Sequence, residues 1–129
     1  MADLPPGCAK PVMAMSNWFL ASATIAMSLT ESGQITPEVT SGMQDLATKF
    51  DGYAADIESA FPDAPASYAA LAETFRAEAE VLHTWPERNT TTDRLSKAMD
   101  AVTNSPDGQE ALSATVQDLE TRCPPWRFN

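Results

Sequence analysis

His83 is the one histidine of this 129-residue chain, and it stands three residues after Glu80. Glu-x-x-His puts a carboxylate and an imidazole on adjacent positions of one helix face, which is how each half of a ferritin-like di-iron site begins. Such a site needs a second copy, and a single histidine does not supply one. A mononuclear centre using His83 with carboxylates such as Glu80 and Glu87 stays conceivable. It competes with a partly exposed histidine near a helix end, where the cationic form suits the dipole. His83 is also the candidate haem ligand, with a tyrosine or one of Met13, Met15, Met27, Met43 and Met99 as its companion. Phe75, Leu82 and Trp85 would then form an apolar wall. Methionines and aromatics at helical spacing more often fill a core than line a cofactor box. The expectation is therefore no cofactor and no metal, with haem at His83 as the alternative.

Other catalytic chemistry has less to work with. A Ser-His-Asp or Cys-His triad would have to use His83, yet no Gly-x-Ser-x-Gly elbow occurs and both cysteines read as oxidised. Carboxylate pairs such as Asp56 with Glu58 and Glu78 with Glu80 sit two residues apart and so point to different helix faces. A secreted helical chorismate mutase would need several inward basic groups for its dianion, and Lys10, Lys49, Arg76, Arg88 and Lys97 are scattered. Asp51-Gly52 and Asp107-Gly108 lack the ligand ladder of an EF-hand. Asn89-Thr90-Thr91 matches a glycosylation sequon and is explained as readily by loop and cap chemistry. The chain reads as a non-enzyme.

Composition narrows the partners. With 18 acidic against 8 basic side chains the formal charge is −10, which disfavours nucleic acid and anionic membrane surfaces and favours cationic ligands or basic proteins. No apolar run approaches the roughly 20 residues of a membrane span, so no transmembrane segment is expected. Residues 2–8, Ala-Asp-Leu-Pro-Pro-Gly-Cys, have the style of a mature exported protein after its signal is removed. The two cysteines, Cys8 and Cys123, flank the first and last helical stretches, as a terminus-to-terminus disulfide would. Acylation of Cys8 as a lipoprotein is the weaker alternative, since Pro5 and Pro6 fit a lipobox poorly and Cys123 would lose its mate.

The elements that must position these residues are helices. Val39, Met43, Leu46, Phe50, Tyr53, Ile57 and Ala60 step by three and four, an apolar stripe along a helix reaching about Phe61. Such a one-sided helix needs partners to cover it. After an extended leader over 1–10, Pro11 opens a first helix with Val12, Met15, Trp18, Phe19, Ser22, Ile25, Ala26 and Leu29 at helical spacing, ended by Ser32-Gly33. Thr36-Pro37-Glu38 starts the second. A third runs from about Pro65, with Tyr68, Leu71, Ala72, Phe75, Ala79, Leu82 and Trp85 inward, until Pro86. Thr92-Asp93 caps a fourth and Ser105-Pro106 a fifth. The expected fold is all-α, a single domain over 1–129: an up-and-down bundle of four to five helices closed by a terminus-to-terminus disulfide. Residues 124–129 form a short aromatic tail.

At Leu112 to Cys123, Leu-Ser-Ala-Thr-Val-Gln-Asp-Leu-Glu-Thr-Arg-Cys, taken with the Cys8 start, the chain resembles small exported helical proteins of actinobacteria, the haemophore-related type. In that type an N-terminal cysteine pairs with one ending the final helix. The resemblance implies an extracytoplasmic bundle, with haem binding in some members, and carries no ligand residue over to this chain.

Two functional readings follow. The first is an exported, non-enzymatic interaction module that docks on a cell-envelope or extracellular protein partner through Trp126, Arg127 and Phe128, since Trp and Arg are enriched among interface anchors. The second is a carrier of haem or another apolar small molecule between helices, lined by Trp18, Phe50, Phe75 and Trp85. The expected location is secreted or cell envelope.

Overall fold

The computed structural model describes the backbone over residues 4–32, 37–88 and 92–128, and side chains over 4–25, 40–84 and 94–128. Five helices follow in order: α1 Ala9–Ser32, α2 Pro37–Glu58, α3 Ala66–Arg88, α4 Thr92–Thr103 and α5 Pro106–Arg122. They form an all-α up-and-down bundle, and no strand occurs among the described residues. A disulfide between Cys8 and Cys123, 115 residues apart, closes it.

Each helix buries one stripe. On α2 the residues fully withdrawn from solvent are Met43, Ala47, Phe50, Ala54 and Ile57, a run of alternating steps of four and three. Val12, Met15, Trp18, Ala21 and Ile25 do the same on α1, and Ala111, Thr115 and Leu119 on α5. The helix that organises the bundle is α3 rather than α2. It packs against α2, α4 and α5, and meets α1 through Phe75, which stacks on Trp18 with ring centroids 5.0 Å apart. Tyr68, Leu71, Ala72, Phe75, Ala79 and Leu82 on α3 are all buried.

The helix ends explain several departures from expectation. From Pro5 on, the leader is not extended: Cys8 N–H donates to the Pro5 carbonyl across a turn with Pro6 and Gly7 at its centre, and Gly7 has φ +84°. Only glycine takes that left-handed conformation cheaply, and Pro-Gly is the signature of a type II turn. The turn lets α1 begin at Ala9, two residues before Pro11, because a proline anywhere in the first turn gives up an N–H that has no helical partner. At the other end of α2 the helix stops at Glu58 instead of Phe61; Ala60 N–H reaches back only to Ile57, a tighter last turn. Pro86 does not end α3, which continues to Arg88. In a final turn a proline removes one helical hydrogen bond and is followed by too few residues to force a break. Ser105 caps α5 as expected, its hydroxyl accepting from Gly108 N–H at 3.1 Å with Pro106 at the first helical position. Gly33, Thr36 and the Asn89-Thr90-Thr91 triplet lie outside the described residues, as do the side chains of Met27, Trp85, Glu87 and Asp93.

A second tie lies beside the disulfide. Tyr68 Oη donates to Asp118 Oδ2 at 2.6 Å, Arg122 Nε donates to the same oxygen at 2.7 Å, and Arg122 reaches Asp63 at 3.0 Å. The guanidinium also lies over Phe61, 4.7 Å from its ring centre. This network fixes the α2–α3 turn to the end of α5, which the Cys8–Cys123 bond in turn fixes to the start of α1.

Candidate functional site

Three helices that meet around one buried acid build a candidate site. α1 presents Trp18, Phe19, Ser22, Ala23 and Ile25; α4 presents Ser96, Met99, Asp100 and Thr103; α3 lies beneath and sends up Glu78. Because α1 and α4 touch each other only sparsely, the gap between them stays open as a cavity of about 400 Å³. Its walls are mainly apolar, and Glu78 forms part of the floor.

Glu78 is 1 % exposed, a position carboxylates rarely take without a charged partner. Here the partners are neutral. Trp18 Nε1 donates to Oε1 at 3.3 Å and Thr103 Oγ1 donates to Oε2 at 3.1 Å. Burial penalises the charged form and pushes the Glu78 carboxyl up to about 7, and these two hydrogen bonds only partly offset it. No lysine or arginine lines the cavity among the described residues, and Asp100 is its other ionisable group. Asp100 Oδ1 accepts from the Asn104 side chain outside the floor. Ser22 adds a second anomaly: its hydroxyl is shut off from solvent and has no hydrogen-bond partner among the described residues. The cavity thus joins an apolar wall to a carboxylate with spare acceptor capacity and an unpartnered hydroxyl.

Glu78 was hidden in plain view in the sequence. Tyr68, Leu71, Phe75, Glu78 and Leu82 step by three and four, so the acid occupies a position of the apolar stripe itself. Reading Ala79 as the inward residue of that turn masks it; both are buried.

The residues singled out from the sequence fall elsewhere or in the core. His83 is exposed on α3, with Nε2 3.7 Å from Asp51 Oδ2 of α2, and it does not line the cavity. Glu80 is exposed as well. No group of three or more His, Cys, Asp or Glu positioned to hold a metal occurs among the described residues. Of the expected carrier lining, Trp18 reaches the cavity, whereas Phe50 and Phe75 are packed in the core.

The aromatic tail folds back. Trp126 and Phe128 are partly buried against the bundle, Trp126 N–H donates to the Cys123 carbonyl, and Phe128 N–H donates to Glu120 Oε2 at 3.1 Å. Arg127 stays exposed. Phe128 meets Phe19 edge to face, with centroids 5.6 Å apart, and Trp126 lies against Phe128. Phe19 is nonetheless 56 % exposed, and Met13 and Leu20 of the same helix are 53 % and 63 % exposed. No helix is long and apolar enough to cross a membrane among the described residues. Set against protein-family models, curated proteins and solved structures, the chain matches none of them.

Proposed function

We propose that the protein is a small-molecule carrier whose ligand, largely apolar, lies between α1 and α4 over Glu78. The observation that carries the reading is a mainly apolar cavity of about 400 Å³ with a buried carboxylate in its floor that has only neutral partners among the described residues. Pockets for small ligands are typically apolar with a few placed polar groups, and a strongly perturbed acid inside one is a functional signature. The disulfide supports an exported location for such a carrier, since these bonds persist in oxidising compartments. Binding of the neutral probe N-phenyl-1-naphthylamine, followed by its fluorescence, tests the reading. Saturable one-to-one binding should vanish in Ala23→Trp, which fills the cavity from an exposed helix position. Absence of binding, or unchanged binding in a folded Ala23→Trp, overturns it.

A second reading, docking on a protein partner, is favoured by the exposed apolar side chains of α1, Met13, Leu20 and Phe19, the last of which meets Phe128 of the tail, and the formal charge of −10 favours a basic partner. Removal of 124–129 separates support of the bundle from partner contact. A lower melting temperature with unchanged partner capture leaves the tail a purely structural part.

A further inference from the structure

The carrier reading says where a ligand lies; the chemistry of the floor says what its head is. Glu78 offers only acceptor oxygens when ionised, and among the described residues each of the two takes one donor. Among the described residues, two neutral donors leave the negative charge without a counter-charge in a place almost closed to water, where an unpaired charge is costly. Among the described residues the cavity supplies no cation of its own: α1 lines it with Trp18, Phe19, Ser22, Ala23 and Ile25, none ionisable, and α4 adds only the acid Asp100. Neither α2 nor α5 contributes a charged group to the lining. The unpartnered Ser22 hydroxyl is a further acceptor in the same wall. The formal charge of −10 draws cations toward the molecule as a whole.

On the strength of the carrier reading, we infer that the α1–α4 cavity selects lipophilic amines, a protonated nitrogen docking on the Glu78 carboxylate while an apolar body fills the space between Trp18, Ile25 and Met99. An ammonium brings several N–H donors and the missing charge at once. An alcohol of the same shape brings one donor and no charge, and a carboxylate repeats the charge already present. Near-neutral titration of Glu78 makes the preference depend on pH: the acid must ionise to pair, so amine affinity rises as pH climbs through about 7.

Calorimetry with 1-adamantylamine, 1-adamantanol and 1-adamantanecarboxylate on the intact disulfide-bonded chain tests this. At pH 8 the amine should bind at least ~10-fold tighter than the alcohol, with the carboxylate weakest. Moving to pH 6, about one unit below the Glu78 midpoint, should weaken the amine by about tenfold and leave the alcohol unchanged. Glu78→Gln should bring the amine down to the alcohol's affinity and flatten its pH profile. Should that variant fail to fold, the wild-type comparison and pH profile decide alone. Equal affinity for amine and alcohol overturns the amine inference and leaves the carrier intact. Binding of N-phenyl-1-naphthylamine without any amine binding does the same. If no probe binds, both fall.

Discussion

Trp18 Nε1 donates to Glu78 Oε1 across 3.3 Å while the same indole stacks on Phe75, one turn before Glu78 on α3. A single α1 residue therefore seals the core on one side and orients the buried acid on the other. The pair ties the stability of the bundle to the chemistry of the cavity, and each of the following outcomes tests part of that tie.

Glu78 should cost stability as pH rises. Its carboxyl is raised by burial to about 7 from the ordinary 4.5, so the native state holds a proton that the unfolded chain has released between those values. Stability contributed by this group is therefore full below about 4.5, falls as pH rises, and is lost above about 7. The shift corresponds to an upper bound of about 3 kcal/mol. Glu78→Gln should match the wild type near pH 4.5 and exceed it at pH 8, read as urea midpoints. A variant less stable than wild type at both pH values would show that the charge is compensated in the fold. A residue that weakens the protein at neutral pH makes sense where function uses the acid.

Replacing both Cys8 and Cys123 by serine should lower unfolding free energy by about 4 to 5 kcal/mol, the chain-entropy expectation for so long a loop. The 115-residue separation sets that magnitude. Urea unfolding of the double variant measures it, and a loss below ~1 kcal/mol would mean that the Tyr68–Asp118–Arg122–Asp63 network holds the termini without the bond.

Three helical glycines should respond with opposite signs. At Gly42 and Gly52 of α2 an added Cβ meets nothing within 4 Å, so alanine should stabilise by ~0.5–1 kcal/mol at each through helix propensity. At Gly108 the Cβ would sit 2.8 Å from Ser105 Oγ and 3.1 Å from the Val102 carbonyl. Gly108→Ala should therefore disturb the cap of α5 and destabilise by ~1–2 kcal/mol. Thermal melts of the three single variants check the pattern, and a stabilising Gly108→Ala would contradict the close packing at the start of α5.

How legible this was in the sequence depended on what each residue's neighbours are. Stripes such as Met43–Phe50–Ile57 and the Ser105–Pro106 cap involve positions a few residues apart, and they read correctly because helix geometry alone fixes them. The Cys8–Cys123 pairing was legible for a different reason: the chain holds two cysteines and places them outside the helices. Pro86 misled because the cost of a helical proline depends on how many turns follow it, which no local motif records. The cavity was hidden because it depends on α1 and α4 standing apart, a relation between residues distant in sequence, such as Trp18 with Thr103. Its one local sign was an acid at an inward position of α3, where Leu71, Phe75 and Leu82 announce burial.

The most direct test of the central claim follows the Trp18 indole N–H in a proton–nitrogen correlation spectrum during titration with N-phenyl-1-naphthylamine. A ligand seated between α1 and α4 must disturb the Trp18–Glu78 hydrogen bond, so the Trp18 resonance should shift and saturate at one equivalent while that of Trp126 stays in place. An unmoved Trp18 resonance, or a shift confined to Trp126, would contradict a carrier built on this cavity.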